Sequence, residues 1–174
     1  MNAQRRGVLL GLGLALAMPG GGVRAAGQVV QTPYKAPMKA VFEFYLDDPA
    51  SISSALFWVR SLFNTLQQSP YDFAPEDQNV VVVLHGTEIV TTVTRNQDKY
   101  REAVDRMRYY AQMGVKFKVC GQAAHDFGYQ PADFQDFVEI VPNAMTELAY
   151  WQQQGHALIV PRILIKREAT ESIR

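Results

Sequence analysis

A chain of 174 residues, 48% hydrophobic and 20% charged, is long enough for one domain with a real core and short for two. That composition excludes wholesale disorder. Formal net charge is zero, but without Arg5, Arg6 and Arg24 the 17 basic residues fall to 14 against 17 acidic, a net of about −3. No cluster of Lys and Arg stands ready for phosphates, which argues against a nucleic-acid partner.

Residues 1–25 read as an export signal. Arg5-Arg6 form a positive start, Val8 to Met18 an apolar stretch, and Val23-Arg24-Ala25 offers small residues before a cut, leaving a processed N-terminus near Ala26. The apolar stretch is shorter than the ~20 residues of a membrane span. The paired arginines resemble a twin-arginine (Tat) signal, from which Gln4 and Leu9 depart, and an ordinary Sec signal is the alternative. Either route takes the protein to the periplasm. An exported chain with one cysteine has no intramolecular disulfide, so Cys120 is buried, paired with another molecule, or a free thiol with a task.

After an extended lead-in over 26–37, Met38 to Leu46 reads as a first strand rich in β-formers. Asp48 suits a helix cap and Pro49 the first helical position. Ile52, Ala55, Leu56, Val59, Leu62, Phe63 and Leu66 then recur at helical spacing. Val80 to Leu84 is a continuous β-branched run, the pattern of a strand buried on both faces, and it ends at His85-Gly86. Glu88 to Thr94 is ambiguous between strand and loop or short helix. Asn96 to Met113 is helical in pattern, and Gly114 closes it.

Val115 to Cys120 is a third strand, and short turns or helices follow over 122–129 and 131–137. Val138 to Val141 is a fourth strand. A helix starting at Pro142-Asn143 is expected to bury Met145, Leu148, Ala149 and Trp151, and Ala157 to Val160 makes a fifth strand. Strands alternating with helices predict an α/β fold: a mostly parallel five-stranded sheet with helices on both faces, one domain over 38–165 and a charged tail over 166–174 that frays or serves assembly.

Open α/β folds place their chemistry at the carboxyl ends of strands. Cys120 stands at such an end, just before a helical turn whose unpaired N–H groups favour a thiolate; it also reads as a small buried residue. His85 ends the neighbouring strand and would accept a thiol proton, or simply hydrogen-bond a loop carbonyl. His125, five residues past Cys120, would line the same pocket or be solvated. These three would also make a metal set, but no C-x-x-C or H-x-x-x-H spacing supports one. His156, at the start of strand five, reads as structural. Asp48 is explained by capping, and Asp47 as a charge at the same rim. Without Gly-x-Gly-x-x-Gly after strand one, neither a nicotinamide nor a flavin cofactor is expected, and Gly-x-Ser-x-Gly is absent. Tyr109, Tyr110, Phe127, Tyr129, Phe134, Phe137, Tyr150 and Trp151 exceed what one small sheet's helices need, so some of them suit a subunit interface.

Four pieces in order resemble the DsrE/DsrF-like family: Phe44-Tyr45-Leu46-Asp47-Asp48-Pro49, Val83-Leu84-His85-Gly86, Val119-Cys120-Gly121-Gln122, and Val138-Glu139-Ile140-Val141-Pro142-Asn143 running on to Gln154-Gly155-His156-Ala157. Gln122 stands where many relatives have Asn. The resemblance implies a three-layer α/β/α sandwich, assembly as a homo-oligomer (trimer or hexamer), and, as in the sulfur-relay members, a persulfide carried on Cys120. A periplasmic protein that accepts sulfane sulfur on Cys120 and passes it between donor and acceptor proteins or small sulfur compounds is the first functional expectation. His85 and His125 would tune its thiolate. The alternative is a non-catalytic oligomeric binding or accessory module of the same fold with Cys120 structural.

Overall fold

The structure is a computed structural model that describes residues 27–164 and 167–174. The chain divides into two units, Met1–Thr32 and Pro33–Arg174. Residues 27–32 of the first are exposed and lack regular structure, and the expected signal over 1–25 lies outside the described residues. The second unit contains every strand and helix of the described residues.

Its elements are β1 (Met38–Phe44), α1 (Ile52–Gln67), β2 (Gln78–Leu84), α2 (Arg101–Gln112), β3 (Lys116–Cys120), α3 (Gly121–Asp126), β4 (Val138–Val141), α4 (Ala144–Gln153) and β5 (Ala157–Ile159). The five strands form one sheet in the order β4-β3-β2-β1-β5, with every pairing parallel. Val80 to Leu84 sits at its centre and is buried throughout, as its unbroken apolar run requires. From β1 to β4 the chain steps in one direction. It then crosses the whole sheet to lay β5 on the far side of β1.

Crossovers of a single hand place the onward connections on one face and the returning one on the other. The two cores follow that rule. On one face, Phe42, Phe44, Val82 and Phe117 pack with Leu56 and Phe63 of α1 and Met107 of α2. On the other, Val41, Val81, Val83 and Cys120 pack with Ala144 and Leu148 of α4. The expected three-layer α/β/α sandwich is the fold found. Each fully buried large apolar side chain in these layers contributes about 1.5–3 kcal/mol.

The expected apolar face of α1 is buried, with Leu62 half-exposed at its margin. Asp48 caps the turn before it, accepting the Ala50 N–H at 2.9 Å. The ambiguous stretch after β2 is a 3-10 turn over Thr87–Thr92, and α2 begins only at Arg101, after a second 3-10 turn over Thr94–Asn96. The expected buried face of α4 needs correcting: Met145 is 53% exposed and Ala149 is also exposed. Ala144, Leu148 and Trp151, spaced by four and three, are the residues on the sheet side, which rotates the helix by one position. Among the surplus aromatics, Tyr110 and Phe134 are buried core residues, whereas Tyr109, Phe127 and Tyr150 are exposed. Residues 167–174 are exposed apart from half-buried Thr170 and make one 3-10 turn. Among the described residues no helix is long and apolar enough to cross a membrane.

His156 is buried at the mouth of β5. Its Nδ1 donates to the Trp151 carbonyl at 3.1 Å, and its ring meets the Trp151 ring edge-on at 4.8 Å. Nε2 has no partner. Burial pushes its pKa below the ordinary imidazole value, against the Trp151 carbonyl, and the charges of Lys39 and Lys116 push the same way. A depressed histidine pKa means that the unfolded chain takes up a proton which the folded chain refuses. The contribution to stability is therefore complete above the unfolded value near 6.5 and is lost as pH falls from there towards the folded value. Urea titrations across that window are expected to give midpoints that fall with pH, with a shallower fall in His156→Asn, which keeps a donor but takes up no proton. An identical fall in both proteins would refute this.

Candidate functional site

The carboxyl ends of the strands surround a cavity of about 900 Å³. One wall is the turn after β1, Tyr45 to Asp48, and another is the turn after β2, His85 to Thr87. Phe127 and Asp126 close it at α3, and Pro161 and Ile163 close it beyond β5. This is the rim where the sequence placed the chemistry.

The two turns are tied together by one side chain. Glu88, fully buried, accepts the backbone N–H groups of His85 and Gly86 on Oε1 and of Leu46 on Oε2, each at 2.9 Å. His85 N–H also donates to the Phe44 carbonyl at 3.0 Å, and Thr87 N–H to that of Leu46 at 2.8 Å. Burial pushes the Glu88 carboxyl above the usual carboxylate range, while the N–H groups of Gly86, Leu46 and His85 pull it back. The packing is close: a Cβ on Gly86 would lie 2.5 Å from the Leu46 nitrogen and 2.6 Å from its oxygen. Glycine is required there by proximity of backbone.

On this frame His85 is held on three sides. Its Nε2 lies 3.0 Å from Oε1 of Glu43, with the two side chains only 12% and 22% exposed. Tyr45 stacks on the imidazole, centroids 4.7 Å apart and planes inclined by 14°. Glu43, Tyr45 and His85 share the α4 face of the sheet because residues two apart on a strand share a face.

Cys120 is at the same level of the sheet but is not among the residues that line the cavity. His85 and Cys120 each follow by one residue the aligned pair Leu84 and Val119, so the register sets them side by side on neighbouring strands. Cys120 is 4% exposed and does not line the cavity. Its Sγ accepts the N–H of Ala144, the first residue of α4, at 3.3 Å. Asn143 caps that helix, accepting the Met145 N–H at 2.8 Å, and its amide donates to Oε1 of Gln122 in α3 at 2.8 Å. The sulfur is thus shut in by the first turns of two helices pinned to each other. Gly121 belongs to the same closure, since a Cβ there would lie 2.9 Å from the Val141 carbonyl oxygen.

His125 is elsewhere. Its ring is 87% exposed, 3.6 Å from Asp126, and outside the cavity wall. The structure therefore brings His85 level with Cys120 and leaves His125 in solvent. Among the described residues no group of three or more His, Cys, Asp or Glu side chains is placed to hold a metal ion.

A second polar network lies on the α4 face. Lys118, two residues before Cys120, contacts Glu139 at 2.7 Å and Glu147 at 3.3 Å, and Trp151 Nε1 donates to Glu147 at 2.7 Å. Burial works to lower the Lys118 pKa, but the bond to Glu139 and the charge of Glu147 outweigh it and the net direction is up.

The family model that matches this chain is the DsrE/DsrF-like family, over residues 39–161. The chain belongs to that family. None of the curated proteins compared with it matches. Among solved structures, a protein of unknown function from Methanobacterium thermoautotrophicum, MTH1491, is 20% identical with a TM-score of 0.57, over 71% of this chain and 99% of its own. A conserved protein of unknown function from Bacteroides thetaiotaomicron, BT1422, is 10% identical with a TM-score of 0.49, over 71% and 94%. The first likeness is one of fold. Within the DsrE/DsrF-like frame, the residues that sequence reasoning overlooked are Glu43, Tyr45 and Glu88. Glu43 left a trace, a lone acid between Phe42 and Phe44 in a strand whose only other charge is Lys39 near its start. Glu88 left none, because nothing local marks a glutamate as the acceptor for another turn's N–H groups.

Proposed function

We propose that the protein is an exported sulfur handler in which Cys120 accepts sulfane sulfur as a persulfide and passes it on. The DsrE-like family is linked to sulfur relay in general. The observation that carries the finer reading is the Ala144 N–H aimed at Sγ from the start of α4: a donor at a helix N-terminus stabilises charge on the sulfur as it attacks or leaves. The step balances without a redox partner. The Cys120 sulfur attacks the outer sulfur of a hydropersulfide R–S–SH, the donor's S–S bond breaks as the new one forms, and the donor leaves as R–SH after taking the cysteine's proton. Export to the periplasm and assembly as a trimer or hexamer belong to the same proposal, read by cell fractionation and native mass spectrometry.

The test is intact-mass spectrometry of the mature protein after treatment with a hydropersulfide or polysulfide. One added sulfur that dithiothreitol removes and Cys120→Ser abolishes is expected. No adduct, or one that survives the substitution, rejects the relay.

Burial of Sγ among Val41, Val81, Val83 and Leu148 favours a second reading, a binding module that uses the rim cavity with Cys120 as packing. A thiol that reacts only after denaturation selects it.

A further inference from the structure

We propose that Glu43 and His85 form a proton-accepting pair that serves a ligand in the rim cavity, and that this ligand is a small neutral or cationic thiol. His85 lines the cavity and Cys120 does not, so a molecule bound there meets His85 before it meets the protein's own sulfur. Glu43 is the positioning residue and His85 the catalytic one.

The tautomer follows from the contact. A carboxylate only accepts hydrogen bonds, so the ring nitrogen 3.0 Å from Glu43 Oε1, Nε2, carries the proton. In the neutral ring Nδ1 then bears the lone pair. Stacking on Tyr45 fixes the plane of the ring, and Glu88 and the Phe44 carbonyl fix its backbone. A base held in one tautomer and one plane, with an anion behind it to stabilise the imidazolium, is arranged to accept a proton at Nδ1.

The class of ligand follows from proton affinity and from charge. A thiol, with an ordinary pKa of about 8.5, gives up its proton to a nitrogen base far more readily than an alcohol does. Among the described residues, the charged groups around the cavity are Asp47 and Asp48 of the turn after β1, Asp126 of α3 and Glu43 behind the imidazole, and no described Lys or Arg lines it. Inorganic polysulfide and other polyanions are repelled, and an aminothiol is attracted. In the step, the ligand's S–H bond breaks, its electron pair stays on sulfur as the thiolate, and the proton joins Nδ1. No oxidant or reductant takes part.

What the thiolate then attacks rests on the sulfur-handling reading: the acceptor of sulfur from Cys120 would be this thiol. The proton step does not depend on it. The experiment therefore uses the folded Cys120→Ser protein, which has no thiol of its own, titrated with cysteamine and, in parallel, with the anionic mercaptoethanesulfonate. Nitrogen NMR of the ring is expected to report the Nε2–H tautomer without ligand and an imidazolium with cysteamine, alongside the ultraviolet band of a thiolate. Mercaptoethanesulfonate should give neither. Adding Glu43→Gln should lower the thiolate fraction about tenfold, the worth of one neighbouring opposite charge, and His85→Asn should remove it. An Nδ1–H tautomer, or equal thiolate bands with and without Glu43→Gln in proteins of unchanged fold, overturns the proposal. A protein that shows the thiolate band here yet takes no sulfur on Cys120 in its unsubstituted form keeps this pair and loses the relay.

Discussion

Glu88→Ala is expected to destabilise the protein by roughly 3 kcal/mol or more. It leaves two backbone donors, on Leu46 and Gly86, without an acceptor, each costing about 1–3 kcal/mol when buried, and strips the His85 N–H of one of its two acceptors, the other being the Phe44 carbonyl. Set against a total stability of about 5–15 kcal/mol, that loss is large for one side chain outside the main cores. Glu88→Gln is the informative partner. Its amide oxygen can keep the two bonds made by Oε1, while its NH₂ meets the Leu46 N–H donor to donor, so about 1–3 kcal/mol is expected. Chemical denaturation with both variants reads the difference. Equal losses in Ala and Gln, or a loss below about 1 kcal/mol in Ala, would show that water replaces the carboxylate and that the two turns are held by something else.

The same carboxylate sets a pH dependence of opposite sign to that of His156. Its folded pKa is raised by burial above the ordinary glutamate value, so the folded chain holds the proton more tightly than the unfolded one. The contribution is greatest below the unfolded value near about 4.3 and declines as pH rises through it towards the folded value. Glu88 ionisation is tolerated because the three N–H groups receive the charge, and those groups belong to the turns that carry Tyr45 and His85. Stability of the knot and geometry of the cavity are therefore one property. The Ala variant should blunt the Nε2–H signature of His85 as well as lower the denaturation midpoint.

How far the sequence reaches is visible in particular elements. Val80 to Leu84 declared a strand buried on both faces because five consecutive apolar, mostly β-branched residues have no solvent face to offer. The α1 stripe declared its buried side because seven positions repeat the helical spacing. The short α4 offered Ala144, Met145, Leu148 and Ala149 together, and small or flexible apolar residues on two adjoining stripes do not decide the rotation; packing on Val41 and Val81 does. Strand order was equally beyond local pattern, since the return of β5 to the far side of β1 is a long-range choice. At the site, His85 and Cys120 were legible as strand ends, and their alignment follows once the strands pair in register. The Glu43 contact required knowing that β1 and β2 are neighbours. The depth of Cys120 required knowing that the start of α4 closes over it.

That closure leads to the second large effect. A gate at the first turns of α3 and α4 would control access to Sγ, and Asn143 is the residue that holds both turns: its Oδ1 caps α4 and its Nδ2 bonds Gln122. Asn143→Ala removes the cap, a loss of about 1–2 kcal/mol, together with the bridge. If the opened state is in fast equilibrium with the closed one, its population rises by the corresponding factor, about 5–30-fold. Native labelling of Cys120 by iodoacetamide is therefore expected to be far slower than in the unfolded chain and to accelerate by that factor in Asn143→Ala. Gln122→Ala, which removes only the bridge, should give a smaller acceleration. Labelling that is as fast in the folded wild type as in denaturant would dismiss the gate, because the sulfur would then be open already. An unchanged slow rate in Asn143→Ala would place the opening in some other part of the fold. The acceleration bears on function as well as access: a sulfur that becomes reachable when two short helix starts separate is protected between encounters, and a donor or acceptor that favours the open state would load or unload Cys120 only while bound.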